Sequence, residues 1–172
     1  MSLRPILIHP DPRLKKTCPP VAEVTDAVRR LADDMLETMY DAPGVGLAAP
    51  QVGVLTRMFV MDCNREEAGQ APTVVINPQI TWHSDETATY EEGCLSIPEI
   101  FEDVTRPERI RLAFTDQHGA AREEEYEGLW ATCAQHEIDH LNGKLFIDYL
   151  GAVKRGLITT KMRKLKRERA RV

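Results

Sequence analysis

The sequence predicts an α+β fold: mostly antiparallel sheets around a buried central helix, with N-terminal and C-terminal helices beside them. Three observations lead there. Apolar residues recur at helical spacing near both ends of the chain. Its middle instead holds short β-like runs separated by turn residues. The segment from Leu129 to Leu141 is apolar on almost every side, as a helix covered on all faces must be. Strands grouped in the middle, rather than alternating with helices, argue against an alternating α/β sheet. At 172 residues the chain suits one domain, residues 1–172, long enough to bury a core.

Residues 1–24 are rich in proline and are expected to wrap the surface. Thr25 can cap a helix whose apolar positions are Val28, Leu31, Ala32, Met35, Leu36 and Met39. It runs to about Asp41, where Pro43 and Gly44 end it. Met58 to Asp62, Thr73 to Ile76, Ile80 to His83 and Arg109 to Thr115 read as strands. In the last, Ile110, Leu112 and Phe114 alternate with polar residues, as on a half-buried antiparallel strand. Asp116 to Gly119 reads as a hairpin turn into Arg122 to Tyr126. The central helix follows, with Trp130, Ala131, Cys133, Ala134, Ile138 and Leu141 around it and Gly143 as its stop. A basic C-terminal helix is expected at about 148–168, with Leu150, Val153, Leu157 and Leu165 facing inward.

No run of ~18 apolar residues could span a membrane. The opening MSLRPILIHPDPRL places prolines and charges where a signal peptide needs an unbroken apolar stretch. A cytoplasmic protein with no membrane partner is expected. Cys18, Cys63, Cys94 and Cys133 form no CxxC pair and are too few for a disulfide scaffold. In a reducing compartment each is a free thiol, a metal ligand or a nucleophile. The net charge of −5 is uneven, because residues 151–172 carry nine Lys or Arg against Glu168 alone. That tail is either a solvated helix face or a docking element for RNA or an acidic surface.

The chemistry centres on His136-Glu137-Ile138-Asp139-His140. Residues four apart share a helix face, so both imidazoles can reach one ion. Glu137 can lean over that ion as a general base. The alternative is a pair of histidines and a glutamate that meet only hydrogen-bond needs. On a nearly all-apolar helix that would bury two rings and a carboxyl at considerable cost. A catalytic site also needs a third protein ligand and an open position. The pattern HExxHxxGxxH fits through Gly143, but Phe146 occupies the position of its third histidine. A glutamate ligand on a following helix is also lacking, since Asp148 is the only acid between His140 and Glu168. The third ligand is therefore sought upstream. Cys133 is seven residues from His140, a rise of roughly 10 Å along a helix, and reads as a packed thiol beside the site. Cys94, in Glu91-Glu92-Gly93-Cys94-Leu95-Ser96-Ile97-Pro98-Glu99, is the stronger candidate. At this point a metallopeptidase and a non-enzymatic metal protein remain open.

A third segment, Gly44-Val45-Gly46-Leu47-Ala48-Ala49-Pro50-Gln51, mimics a dinucleotide fingerprint. That fingerprint needs a strand before it and a helix starting inside it. Here a helix precedes and Pro50 intrudes, so nucleotide binding is rejected. The glycines suggest backbone that approaches a ligand closely, and Gln51 offers an amide donor. With all three segments together, the chain resembles the peptide deformylases. That family carries GxGxAAxQ, EGCLS and QHExDHLxG in this order, matched here at Gly44–Gln51, Glu92–Ser96 and Gln135–Gly143 over nearly the whole chain.

The resemblance implies hydrolysis of the formyl group from the N-terminal formyl-methionine of nascent peptides. Cys94, His136 and His140 would hold one divalent metal ion. The donor set suits Fe2+, Zn2+, Ni2+ or Co2+, and the resemblance implies Fe2+. Glu137 would be the base, with the Gln51 amide and the Leu95 backbone N–H as oxyanion donors. Val45, Tyr90, Leu129, Cys133 and His136 would line the methionine slot, with core packing as the alternative for Tyr90 and Leu129. The peptide backbone would pair around Gly46 and Gly93. Many members have an arginine near the position of Phe101, so an electrostatic grip on the substrate chain is not expected there. The basic tail would dock on the ribosome near the exit tunnel.

Overall fold

The structure is a computed structural model, and its described residues are 1–64 and 69–172. Thr25 starts the first helix, α1 (Asp26–Asp41), by accepting a hydrogen bond from the Val28 N–H at 3.3 Å. Five strands then form one antiparallel sheet: β1 (Gly46–Ala48), β2 (Met58–Met61), β3 (Thr73–His83), β6 (Arg109–Thr115) and β7 (Ala121–Glu127), in the spatial order β1-β2-β3-β6-β7. Between β3 and β6 the chain makes a separate hairpin of β4 (Thr87–Cys94) and β5 (Ile97–Pro107). The central helix α2 (Gly128–Leu141) and the C-terminal helix α3 (Ala152–Arg169) follow. The α+β class expected from the sequence is what the structure has.

Strand β2 shows how the sheet is sandwiched. Phe59 and Met61 pack with Ala131, Ala134, Ile138 and Leu141 of α2. Met58 and Val60 pack with Leu31, Met35 and Met39 of α1. Successive side chains point to opposite faces, so a strand covered on both sides is apolar throughout, and all four of these residues are buried. A third apolar cluster joins the hairpin to the end of the chain, through Ile97, Val104, Phe146, Ile147, Ile158 and Met162. Helix α2 therefore lies between the sheet and the hairpin.

Three expectations need correction, and one hairpin has none. Thr73 to Ile76 and Ile80 to His83 are one strand, with register irregularities after Ile76 and Ile80. Asn77 causes the break in pattern, because its side chain holds Val21 N and O at 2.8 Å each. The β4–β5 hairpin lacks a sequence expectation altogether. Its strands carry Gly93, Pro98, Pro107 and many acids, which edge strands tolerate. The C-terminal helix starts at Ala152, not near 148. Residues Phe146–Tyr149 form a 3₁₀ turn, where the Asp148 carboxylate accepts from Leu145 N at 2.9 Å and from Lys15 Nζ at 2.7 Å. The inner face of α3 also differs. Ile158 and Met162 are buried, whereas Val153 and Leu157 are 80% and 68% exposed.

The N-terminal segment does more than wrap the surface. Ile8, Leu14 and Cys18 are buried, and the backbone bonds Leu7 N to Gln51 O and His9 N to Ser96 O. At its far end Cys18 N bonds Leu141 O. Gly143 closes α2 with φ +73°, and a Cβ there would lie 2.5 Å from the Lys15 carbonyl oxygen. Gly143→Ala is therefore expected to cost at least about 2 kcal/mol, from the left-handed backbone and the clash together. Urea unfolding checks this, and a loss below 0.5 kcal/mol would contradict it.

Candidate metal centre

Helix α2 places His136 and His140 on one face, towards the β4–β5 hairpin. Cys94 ends β4, and Leu95 and Ser96 make the two-residue turn into β5. The Cys94 Sγ is 3.4 Å from His140 Nε2, and the two Nε2 atoms are 3.2 Å apart. All three donor atoms lie within 4.8 Å of one another. Four ligands at bonds of about 2.0–2.3 Å would be spaced at roughly 3.3–3.8 Å in a tetrahedron. The 3.4 Å spacing sits at the short end of that range and the 3.2 Å spacing just below it. Both histidines are buried, so three electron-pair donors converge with no acid among them. The chemistry of the set fits a divalent transition metal.

The orientation of the donors is fixed by neighbours. His136 gives its Nδ1–H to Glu92 Oε1 at 2.9 Å, which leaves the Nε2 lone pair free to face Cys94 and His140. Phe146 lies beneath His136, with ring centroids 6.0 Å apart. The residue at the position of the missing third histidine is thus a packing surface for the first. Burial, with the nearby Arg106 guanidinium, holds the His140 ring well below the ordinary histidine range, and so neutral. Burial raises the Glu92 carboxyl, but hydrogen bonds from Arg106 and His136 more than offset it and leave Glu92 below the usual carboxylate range.

Glu137 lies beside His136, with Oε1 4.0 Å from Nε2. It is 3% exposed, and Oε2 has no partner among the described residues. Burial pushes its carboxyl up to about 7, helped by the nearby Glu92 carboxylate. The strand β1 passes over it so closely that a Cβ on Gly46 would lie 2.7 Å from Glu137 Oε1 and 2.8 Å from Cys133 Sγ. Gln51, 1% exposed, sits in a 3₁₀ turn (Ala49–Val52) just beyond β1. Its Oε1 accepts from Ala48 N at 2.9 Å. That turns Nε2 towards Ser96 Oγ at 3.0 Å and Cys94 Sγ at 3.5 Å. An amide donor is therefore held beside the three ligand atoms.

A cavity of about 700 Å³ opens onto these groups. Comparison with known proteins identifies the chain. Residues 3–156 match the family model described as polypeptide deformylase. The chain belongs to the polypeptide deformylase family. Its members remove N-formyl groups from nascent peptides, and the chain is an enzyme of that class. It is 55% identical over 168 residues to a peptide deformylase of Bradyrhizobium sp. strain BTAi1, covering 95% of this chain and 96% of the relative. It is 56% identical to one from Alkalilimnicola ehrlichii, covering 98% and 93%. The crystal structure of a Legionella pneumophila peptide deformylase superposes with a TM-score of 0.91 at 43% identity, covering 99% of each chain. One from Ehrlichia chaffeensis in complex with actinonin gives 0.92 at 41% identity, covering 97% and 99%.

Against this deformylase frame, the residues singled out in the sequence come together. Val45, Gly46, Gln51, Tyr90, Gly93, Cys94, Leu95, Leu129, Cys133, His136 and Glu137 all line this same cavity. Leu129 is 45% exposed and Tyr90 half-buried, and neither belongs to a core cluster. Core packing is thus not their surrounding. Cys133 packs beside the ligands, with its Sγ 3.6 Å from Val45 O. Phe101 lies at the rim, where its ring stands 2.6 Å from the Cβ position of Gly93. Sequence reasoning missed Glu92, Arg106, Asp139 and Tyr149 as parts of the site. Glu92 and Asp139 lie inside the family motifs, but no spacing marks a role for them. Arg106 had no local signal, because only the hairpin brings it beneath α2.

Proposed function

We propose that Cys94, His136 and His140 hold the catalytic metal and that the residues around it hydrolyse N-formylmethionyl peptides to formate and a free amine. The observation that carries this is the convergence of the three ligand atoms with the Gln51 amide, 3.5 Å from Cys94 Sγ, and the Glu137 carboxyl, 4.0 Å from His136 Nε2. A bound divalent ion would supply Lewis acidity, lowering the pKa of a water towards ~7 and polarising the formyl oxygen. Glu137 accepts the water proton and returns it to the departing amine. The Gln51 Nε2–H and the Leu95 N–H hold the developing oxyanion, fixed in place before the reaction begins. The substrate backbone lies extended against Gly46 and Gly93. Val45, Tyr90, Leu129, Cys133 and His136 receive the methionine side chain. The whole of 1–172 acts as one catalytic unit.

We take the ion in the cell to be Fe2+, bound through a thiolate that makes the site sensitive to oxidation. The site would also accept Zn2+, Ni2+ or Co2+. No helix among the described residues is long and apolar enough to cross a membrane, and a substrate emerging from translation places the enzyme in the cytoplasm. The basic face of α3 would dock at the ribosome. Ile158 and Met162 belong to the core, so removing 151–172 would disturb the fold. Charge reversal at the exposed Lys161, Lys164 and Arg167 is the sounder test. Unchanged co-sedimentation with ribosomes would refute the docking role.

The deciding assay incubates the protein, purified without oxygen, with formyl-Met-Ala. Release of formate and Met-Ala is expected, without free methionine, and a chelator should abolish it. Free methionine without formate would identify a peptidase instead. The Ehrlichia chaffeensis relative was crystallised with actinonin, and the same compound is expected to compete with substrate here.

A further inference from the structure

We infer that Arg106 is a positioning residue of the metal centre, whose one buried guanidinium ties the strand carrying Cys94 to the helix carrying His136 and His140. Arg106 lies on β5 and is 5% exposed. Its Nε and Nη2 donate to the two oxygens of Glu92 at 2.7 and 2.9 Å. Glu92 stands two residues before Cys94 on β4, and its Oε1 also accepts from His136 Nδ1. The remaining arm, Nη1, donates to Asp139 Oδ2 at 2.9 Å. Asp139 directly precedes His140, and its Oδ2 takes a second hydrogen bond from the Tyr149 hydroxyl at 2.8 Å. The same tyrosine ring lies beneath the guanidinium, 5.0 Å from its centroid.

The ligand atoms come from two elements that share no backbone hydrogen-bond ladder. Cys94 belongs to the two-stranded hairpin, whereas both histidines belong to α2. Backbone geometry fixes His136 relative to His140, but nothing in either element alone fixes Cys94 relative to the pair. The Arg106 fork spans that gap with three hydrogen bonds. It also sets the His136 ring, by pinning the carboxylate that receives its Nδ1–H. A planar fork with donors on three nitrogens suits two carboxylates in different directions, while an ammonium at the end of a flexible chain does not. Without the guanidinium, Glu92 and Asp139 would be partly or fully buried anions lacking their shared counter-charge.

This inference rests on the metal reading above, and the test separates the two. Parent, R106K and R106M proteins, each checked for folding by circular dichroism, are titrated with Zn2+ against a chromophoric chelator. Their Co2+ forms are compared by visible absorption. The parent is expected to bind one ion per chain. R106M should lose roughly 10–100-fold in affinity, with a shifted Co2+ band. R106K keeps the charge but reaches one carboxylate at a time, and should lose about 10-fold. A parent that binds no ion overturns the metal reading and this one with it. A parent that binds, together with folded R106K and R106M matching it in affinity and spectrum, overturns the positioning role alone. A role confined to stability would lower the melting temperature and leave those two readouts unmoved. Should the Arg106 variants not fold, Asp139→Asn weakens one arm with little change of volume, and an unaltered affinity there would equally overturn the inference.

Discussion

Glu137→Ala is expected to lower kcat for formate release by about 10²–10⁴-fold while one metal ion stays bound and the melting temperature does not fall. The expected split follows from where the carboxyl sits. Its Oε1 is 4.0 Å from His136 Nε2, beyond hydrogen-bond reach. Removing it leaves Cys94, His136 and His140 in place. It also contributes little to the fold, because it is 3% exposed and Oε2 lacks a partner among the described residues. A buried acid without partners costs stability, and that cost goes with the side chain. Stopped-time formate assays, metal analysis and thermal melts on one preparation check the three parts together. Activity within a factor of 3 of the parent would rule out Glu137 as the base. Loss of the metal would mean that its role is structural.

Gly46→Ala should be nearly as damaging, through a single methyl group. The new Cβ would stand 2.7 Å from Glu137 Oε1 and 2.8 Å from Cys133 Sγ, and no Cβ tolerates such contacts. The glutamate must therefore retreat, and the thiol with it. Displacing a catalytic group by about 1 Å is enough to lose ~10² in rate. Overpacking of the buried site would cost about 1–3 kcal/mol besides. Metal affinity should hold, as the methyl's nearest neighbours are Glu137 and Cys133 rather than a ligand. Full activity in kcat/KM with formyl-Met-Ala would show that the carboxyl has room to yield without consequence.

The fate of Cys94 and Cys133 shows how far sequence reasoning reached. Helical rise alone separated Cys133 from the ligand role, because residues seven apart on one helix cannot share an ion with the residue between them. The spacing of His136 and His140 likewise needed only the helix repeat. Cys94 was different. Its context made it the better candidate, but its place beside the histidines depends on a hairpin whose strands are rich in acid, proline and glycine. Such strands lack the apolar alternation that marks β6, since each is an edge and packs on one side at most. The C-terminal helix misled for a related reason. Val153 and Leu157 are as apolar as Ile158 and Met162, and an amphipathic pattern cannot say which stripe the hairpin and the N-terminal segment will cover.

The sequence by itself determined the local chemistry: two imidazoles on one helix face, a base between them, a glycine-rich strand and an amide donor, in motifs specific enough to imply the family. Spacing within one element fixes such relations, because the helix and strand repeats are rigid. Only the tertiary structure decided how Cys94 meets the histidines, which carboxylate orients His136, and that Arg106 ties the two halves together. Those relations join residues far apart in the chain. They exist only once α2 is packed between the sheet and the hairpin, where burial makes an unpaired charge costly and thereby selects its partners.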